Sequence, residues 1–170
     1  MRMARLLSLV VVTVFLFASG PVRAQQPVAP PPPQIPYGAP VSLEQAKKVL
    51  AGAEAEARKN QWSMVIAVLD SGGHLVMLER MDGTQLSSIE AAKDKAYSAV
   101  LYRRPTKVFQ DLVGKGGPNL RLLRLSGASP LEGGIAILVD GKIVGAVGVS
   151  GATSEQDAQV AKAGADALTK

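Results

Sequence analysis

The side chains that could perform chemistry are few in this sequence, and His74 is the most distinctive of them. It is the only histidine, and the chain contains no cysteine. An imidazole nitrogen can ligate haem iron, whereas thiolate ligation and covalent c-type attachment both require cysteine. A zinc site needs three or four protein ligands, so one histidine without cysteine does not indicate zinc. A lone histidine is also commonly a hydrogen-bonded surface residue, and that alternative stays open.

Catalysis by the side chains alone is not indicated. A serine–histidine–acid triad would depend on His74 as its single base, and the sequence contains no nucleophile elbow. Carboxylates such as Asp70 and Asp82 lie in turn sequences, where they typically accept hydrogen bonds from backbone amides. We therefore predict no catalytic residue, and a binding role is favoured over an enzymatic one.

Thioether and phenol side chains are further candidate ligands, because haem iron in proteins is also held by methionine and tyrosine. The candidates of these two types are Met77, Met81, Tyr97 and Tyr102. Methionines at strand spacing normally belong to a hydrophobic core, and we favour that interpretation for Met77. The tyrosines lie in a predicted helix that follows the His74 segment.

Arg80 and Lys95 could bind a carboxylate, such as a haem propionate or a small acidic metabolite. A guanidinium binds a carboxylate through two parallel hydrogen bonds, and an ammonium binds it as a point charge. Surface ion pairs are the simpler alternative for both residues. Those pairs would join Arg80 to Glu79 or Asp82, and Lys95 to Glu90 or Asp94.

The elements that would position these residues alternate between helices and hairpins. Ser42 and Gln45 have the spacing of a capping box, and Asp140-Gly141 is a strong hairpin turn between apolar strands. The predicted helices cover residues 42–60, 86–102, 105–113 and 153–168, and the predicted strands cover 62–69, 74–80, 120–125, 134–139 and 142–149. The last hairpin is almost wholly apolar, which predicts a central position with both faces covered. This order of elements predicts an α+β domain with an antiparallel sheet.

The N-terminus has the pattern of a cleavable signal peptide, residues 1–24. Two arginines precede the apolar residues 6–18, and Ala24 is a small residue before the cut. This apolar stretch is shorter than a bilayer span needs, although a membrane anchor is the alternative. Residues 25–40 hold seven prolines and are predicted to form a stiff tether that contributes no sheet or helix. The folded domain is then residues 41–170, exported to the periplasm or the extracellular space and free of the membrane.

Charge gives no support to a nucleic-acid partner. The net charge of the chain is +5, and three of its arginines lie in the predicted signal peptide. The mature chain would keep 16 basic and 14 acidic residues, which is too balanced for a phosphate-binding surface. The glycines at 145, 148 and 151 form only a broken version of a dinucleotide-binding motif, at the end of a predicted strand before a capped helix, and the order of elements indicates no parallel crossover with a phosphate loop. No nucleotide cofactor is therefore indicated.

Several segments of the domain resemble motifs of the GlcG/HbpS family. They are residues 67–76, which contain Asp-Ser-Gly-Gly-His, and residues 79–83, 95–99, 144–151 and 155–157. The resemblance covers nearly the whole domain. It implies a profilin-like fold, with a five-stranded antiparallel sheet and helices on its faces, and it implies assembly into homo-oligomers. Members of the family include exported haem-binding proteins, glycolate-operon proteins and the C-terminal domain of a corrinoid adenosyltransferase.

The sequence departs from the family pattern at three places. Ala136 stands where a proline often follows a glycine pair, and Ala158 ends the acidic run after Asp157. The first predicted helix contains no histidine, so an axial ligand that a relative supplies from that helix is missing here. These differences concern the geometry of a ligand site rather than the fold.

The residues and the resemblance together predict an exported protein that binds haem and sequesters or senses it. The predicted binding residues are His74, Arg80, Lys95 and Tyr97, with His74 as the ligand of the haem iron. Two other functions stay open. One is an auxiliary protein or enzyme that acts on a small carboxylated metabolite bound by Arg80 and Lys95, and the other is a structural partner that only assembles.

Overall fold

The computed structural model describes residues 34–169 of the chain. The predicted signal peptide, residues 1–24, and the first part of the predicted tether, residues 25–33, lie outside the described residues. Within the described part, no helix combines the length and the apolar character that a bilayer crossing requires.

Four α-helices, one 3₁₀ helix and four strands follow one another in the described residues. They are α1 Leu43–Lys59, β1 Val65–Asp70, β2 Leu75–Arg80, α2 Ser88–Tyr102, α3 Lys107–Gly114, the 3₁₀ helix Gly117–Arg124, β3 Gly134–Val139, β4 Lys142–Ser150 and α4 Ser154–Thr169. The predicted α-helices and both hairpins are confirmed. The prediction of a strand at residues 120–125 is wrong, because Gly116 and Gly117 have positive φ and Pro118 then starts a helical turn.

Reciprocal side-chain caps define where two of the helices begin. The Ser42 hydroxyl accepts a hydrogen bond from the Gln45 amide, and the Gln45 side chain accepts one from the Ser42 amide. This arrangement completes the predicted capping box of α1. Thr153 and Gln156 form the same pair of hydrogen bonds before α4. In the β3–β4 hairpin, both turn residues have positive φ, as a two-residue turn of this kind requires.

The four strands form one antiparallel sheet in the order β2-β1-β4-β3. The predicted α+β class with an antiparallel sheet is therefore confirmed, but the described residues contain four strands rather than the five that the resemblance implied. β4 is central and buried along almost its whole length, as predicted. β3 lies at an edge of the sheet, so the prediction that the whole hairpin is central is wrong for this strand.

Helices cover both faces of the sheet. α1 and α4 pack against each other and against one face, where small apolar side chains meet residues of β1 and β4. α2 packs on the opposite face. Its backbone touches the sheet at Gly148, where an added Cβ would collide with the Ala92 carbonyl and the Ala96 amide. This contact sets the height of α2 above the sheet, and α2 carries two of the predicted site residues.

The segment before α1 also pairs with the sheet, and we call its residues 35–38 the N-terminal strap. Tyr37 forms an isolated parallel bridge with Ile143. The Ile143 amide donates to the Pro36 carbonyl at 2.9 Å, and the Gly38 amide donates to the Ile143 carbonyl at 2.8 Å. The prediction that this proline-rich segment contributes nothing to the sheet is therefore wrong at Tyr37.

Candidate functional site

The turn between β1 and β2, residues 70–74, is held in shape by the side chain of Asp70, and we call it the His74 turn. The Oδ1 atom of Asp70 accepts hydrogen bonds from the Gly72 amide at 2.8 Å and the His74 amide at 2.9 Å. The Gly73 amide donates to the Asp70 carbonyl at 3.0 Å. Gly73 has a φ of +82°, which glycine adopts without steric cost. These bonds confirm that Asp70 accepts hydrogen bonds from backbone amides. They also fix the conformation of the backbone that carries His74.

The imidazole of His74 extends from this turn into solvent. Its side chain is 83% exposed, and its Nδ1 atom lies 3.4 Å from Asp70 Oδ1. The ring also lies against Gly72, where an added Cβ would stand 2.9 Å from Nδ1. Because Nδ1 faces the carboxylate, Nε2 is the ring nitrogen left for a ligand. A histidine that binds a metal usually has a carboxylate or carbonyl beside its other ring nitrogen, and the Asp70 carboxylate lies beside Nδ1 of His74 at 3.4 Å.

The same contacts determine the ionisation of Asp70. Partial burial acts to raise the pKa of this carboxyl, but the hydrogen bonds from the His74 and Gly72 amides outweigh burial and lower the pKa below its usual value. Asp70 is therefore a carboxylate at neutral pH. A carboxylate next to Nδ1 favours the tautomer with its proton on Nδ1, which leaves the lone pair of Nε2 free to bind iron.

Tyr97 lies on α2 beside the His74 turn and is 40% exposed. Its ring fits between Gly73 and Gly127, and an added Cβ at either glycine would collide with the ring. Both glycines have positive φ. Within the described residues the Tyr97 hydroxyl forms no hydrogen bond, whereas the other two tyrosine hydroxyls donate to backbone carbonyls. The contact with Gly73 brings Tyr97 and His74 to the same end of the sheet.

A shallow cavity of about 240 Å³ opens beside Tyr97. Its lining combines apolar side chains with charged groups of α2, and consists of Leu69, Gly73, Leu75, Glu90, Lys93, Asp94 and Tyr97. Leu75 follows His74 in the chain and is 50% exposed. The Lys93 ammonium lies 2.8 Å from a Glu90 carboxylate oxygen. The cavity therefore offers apolar contact through Leu75 and Tyr97, and Lys93 is the cation in its lining.

Arg80 lies away from this cavity. It ends β2, whereas His74 stands just before the start of the same strand. Six steps along the strand separate the two residues, a span of roughly 20 Å at the usual rise per residue. The Arg80 guanidinium donates to the Thr84 carbonyl at 3.5 Å. Neither ion pair predicted for Arg80 is present in the part of the chain that the structure describes.

Lys95 is buried rather than exposed. Its ammonium lies 2.6 Å from Asp157 Oδ2 and donates to the Val149 carbonyl at 3.0 Å. The side chains of Lys95 and Asp157 are 2% and 3% exposed. The alternative prediction of a surface ion pair within α2 is therefore wrong. Lys95 joins α2 to α4 instead, and in this position it does not reach a ligand in solvent.

His74 borders the cavity through its neighbours Gly73 and Leu75 but does not line it, and the remaining candidate ligands lie outside the lining too. Met77 and Met81 pack against the core on the α1 side of the sheet, which confirms the core interpretation for Met77. The Tyr102 hydroxyl donates to the Ser126 carbonyl at 2.6 Å, and its ring meets the Phe109 ring edge-on. Among the described residues, no three histidine or carboxylate side chains are grouped so as to hold a metal ion.

Sequence patterns thus predict His74 and Tyr97 as site residues, but they do not predict the groups that hold these side chains in place. The His74–Asp70 contact follows from a four-residue spacing across a glycine turn, a signal that is present in the sequence. The Lys95–Asp157 contact joins side chains 62 residues apart, and no local signal predicts it.

Comparisons with known proteins identify the family. A sequence model of the family described as haem degrading protein HbpS-like matches residues 41–166. The chain is 45% identical to protein GlcG of Escherichia coli strain K12 over 110 residues, which are 65% of this chain and 81% of GlcG.

Solved structures give a consistent result. The crystal structure of a PduOC–haem complex matches with a TM-score of 0.68 and 27% identity, and covers 76% of this chain and 95% of that chain. A double mutant of Streptomyces reticuli HbpS matches with a TM-score of 0.69 and 31% identity, and covers 85% of this chain and 98% of that chain. The family match, the identity to GlcG and these structures agree, and the chain belongs to the HbpS-like family.

Proposed function

We propose that this protein binds haem at the face formed by the His74 turn and Tyr97, with His74 Nε2 as an axial ligand of the iron. The observation that carries the proposal is the 3.4 Å contact between His74 Nδ1 and Asp70 Oδ1, which leaves Nε2 exposed. The family description and the haem complex of PduOC, a relative with the same fold, support haem as the ligand.

The chemistry of this face fits haem. An imidazole backed by a carboxylate is a good iron ligand, and Leu75 and Tyr97 offer apolar surface to a porphyrin. Lys93 lies in the same cavity and can pair with a propionate. The iron would supply redox and oxygen chemistry when bound, while these side chains bind and orient the group. Lys95 is buried in its pair with Asp157 and does not reach solvent, so the placement of Arg80 and Lys95 does not favour a carboxylated metabolite as the ligand.

Assembly of several copies belongs to the same proposal. A cavity of about 240 Å³ is too small to enclose a drug-sized ligand, so a porphyrin would lie on an open face. Leu75, Tyr97 and Leu101 expose between 40% and 50% of their surface around that face. Because the chain has one histidine, a single copy offers imidazole to one side of the iron only. A second copy would cover the exposed side of the haem.

Export completes the proposal. Residues 1–24 have the pattern of a secretory signal peptide, and a haem-binding protein that leaves the cytoplasm would sequester or sense haem in the periplasm or outside the cell. N-terminal sequencing of the protein recovered from the periplasm or the medium tests this point, with a first residue near Gln25 as the expected result.

A haemin titration followed in the Soret band tests the haem site. We expect saturable binding by the unaltered protein and at least about tenfold weaker binding by His74→Ala, because the iron loses its imidazole. Lys48→Ala is the matched control, since Lys48 is an exposed residue of α1 on the opposite face of the sheet. Saturable binding that His74→Ala retains in full would assign the iron to another ligand. No saturable binding by the unaltered protein would contradict the proposed function.

A further inference from the structure

The His74 turn is held not only by its own hydrogen bonds but also by the N-terminal strap. The Ser71 hydroxyl donates a hydrogen bond to the Gly38 carbonyl at 3.2 Å. This bond joins the turn to a segment 33 residues earlier in the chain. Ser71 stands three residues before the proposed iron ligand, so the strap contacts the loop that carries the imidazole.

The strap is in turn fixed to two rigid elements. The Tyr37 hydroxyl donates to the Val100 carbonyl of α2 at 2.8 Å. The Arg103 guanidinium lies 4.3 Å from the centroid of the Tyr37 ring, a cation–π distance, and donates to the Ile35 carbonyl at 3.3 Å. The two backbone hydrogen bonds at Ile143 attach the same segment to β4. The strap therefore connects α2 and β4 with the turn.

We propose that the strap positions the His74 turn for ligand binding, with Tyr37 as the anchor and Ser71 as the contact to the turn. The inference rests on the proposed haem site, and it gives a role to residues that precede the family match, which begins at residue 41. A turn with one conformation lets the imidazole lose less conformational freedom on binding, which increases affinity.

The exposure of the strap separates this role from general stabilisation. Ile35 and Tyr37 are 38% and 39% exposed, and neither residue belongs to the two hydrophobic core clusters or packs against them. Its contacts are hydrogen bonds and one cation–π contact, which contribute modestly to net stability. Release of the strap should therefore increase local opening of the His74 turn more than it lowers the stability of the sheet.

Two variants test the proposal, and amide hydrogen exchange of both is measured first without any ligand. Ser71→Ala removes the contact to the turn, and Tyr37→Ala removes the anchor. We expect amide hydrogen exchange at Gly73 and His74 to accelerate by about three- to tenfold in both, because each loses one or two hydrogen bonds that oppose local opening. Haemin affinity should fall by a similar factor, while exchange stays unchanged in β1 and in β4 except at the Ile143 amide, which itself donates to the strap. Ser71→Thr keeps the hydroxyl and should restore both readouts.

Ser63→Ala is the matched control, because the Ser63 hydroxyl also donates to a backbone carbonyl, that of Asp82 at 3.0 Å, beyond the far end of β2. Unchanged exchange at the turn in both test variants overturns the proposal. Equally accelerated exchange throughout the sheet overturns it too, since the strap would then stabilise the whole fold. Faster exchange with unchanged haemin affinity overturns the positioning role. If the unaltered protein binds no haemin, the proposed haem function fails, and exchange alone decides whether the strap holds the turn.

Discussion

The Lys95 ammonium and the Asp157 carboxylate form a buried salt bridge of 2.6 Å between helices on opposite faces of the sheet. The Val149 carbonyl accepts a hydrogen bond from the Lys95 ammonium, and the Ala152 amide donates a hydrogen bond to the other carboxylate oxygen of Asp157. Burial raises the pKa of Asp157, and the hydrogen bond and charge of Lys95 oppose that rise. Asp157 therefore depends on Lys95 to remain charged inside the protein.

Lys95→Met should destabilise the protein strongly. The substitution leaves the Asp157 carboxyl buried without its cation, and removal of one member of a buried pair costs about 3–5 kcal/mol in free energy of unfolding. Urea denaturation at neutral pH measures the loss. Lys93→Met, in the exposed Lys93–Glu90 pair of the same helix, is the control and should change the free energy of unfolding little.

The double variant Lys95→Met with Asp157→Leu should recover most of that stability. An apolar pair of similar volume in place of a buried ion pair is often neutral or stabilising, because no charge then needs desolvation. The same urea experiment compares the double variant with each single variant. A loss below about 1 kcal/mol in Lys95→Met would show that Asp157 is not left unpaired, which contradicts the structural role given to the bridge.

Most of the elements could be predicted from the sequence because their signals are local. The Ser42–Gln45 capping box and the Asp140-Gly141 turn act within four residues, and the structure contains both. The strand prediction for the leucine-rich residues 120–125 failed, because the positive φ of the preceding glycines favours a 3₁₀ turn there.

The candidate site was predictable only where its chemistry is local. His74 follows from its uniqueness and its place after a glycine turn. The burial of Lys95 could not be predicted, because it depends on how closely α2 approaches the sheet at Gly134, where an added Cβ would collide with the Lys95 carbonyl. The strap was not predicted because it lies in a proline-rich segment, although a proline carbonyl such as that of Pro36 remains able to accept a hydrogen bond.

Gly148→Ala should destabilise the protein because α2 rests directly on this glycine. The added methyl would collide with the Ala92 carbonyl and the Ala96 amide, so the helix must move away from the sheet. Overpacking of this kind costs about 1–3 kcal/mol. Gly114→Ala is the control, because nothing lies within 4 Å of its added Cβ and its φ is not positive. Thermal and urea unfolding of both variants measure the difference, and equal stabilities would contradict the close contact.

Asp70→Asn should reduce stability at neutral pH and have less effect in acid. The folded-state pKa of Asp70 lies below its usual value of 3.8, so the unfolded chain takes up the proton first as the pH falls. The stabilisation by the carboxylate is therefore complete above about 3.8 and disappears as the pH falls through the lower folded-state value. We expect a loss of about 1 kcal/mol near pH 6, shrinking below pH 3.8, in urea unfolding at several pH values. A loss that does not vary with pH would contradict the lowered pKa.

Tyr97 provides the last test, because its ring and its hydroxyl make separable contributions. The ring fills the space between Gly73 and Gly127 and so supports the His74 turn, whereas the hydroxyl forms no hydrogen bond within the described residues. We expect Tyr97→Phe to retain haemin affinity within about twofold, and Tyr97→Ala to weaken it by about tenfold. Titration in the Soret band measures both values.

The position of the Soret band then separates packing from ligation by Tyr97. Tyr102→Phe is the control, because it removes the hydroxyl that donates to the Ser126 carbonyl, outside the cavity lining. If Tyr97 only packs against the turn, the spectrum of Tyr97→Phe with haemin matches that of the unaltered protein, since the iron keeps its imidazole ligand. A shifted band in Tyr97→Phe, with no shift in Tyr102→Phe, would instead assign the phenol oxygen of Tyr97 to the iron.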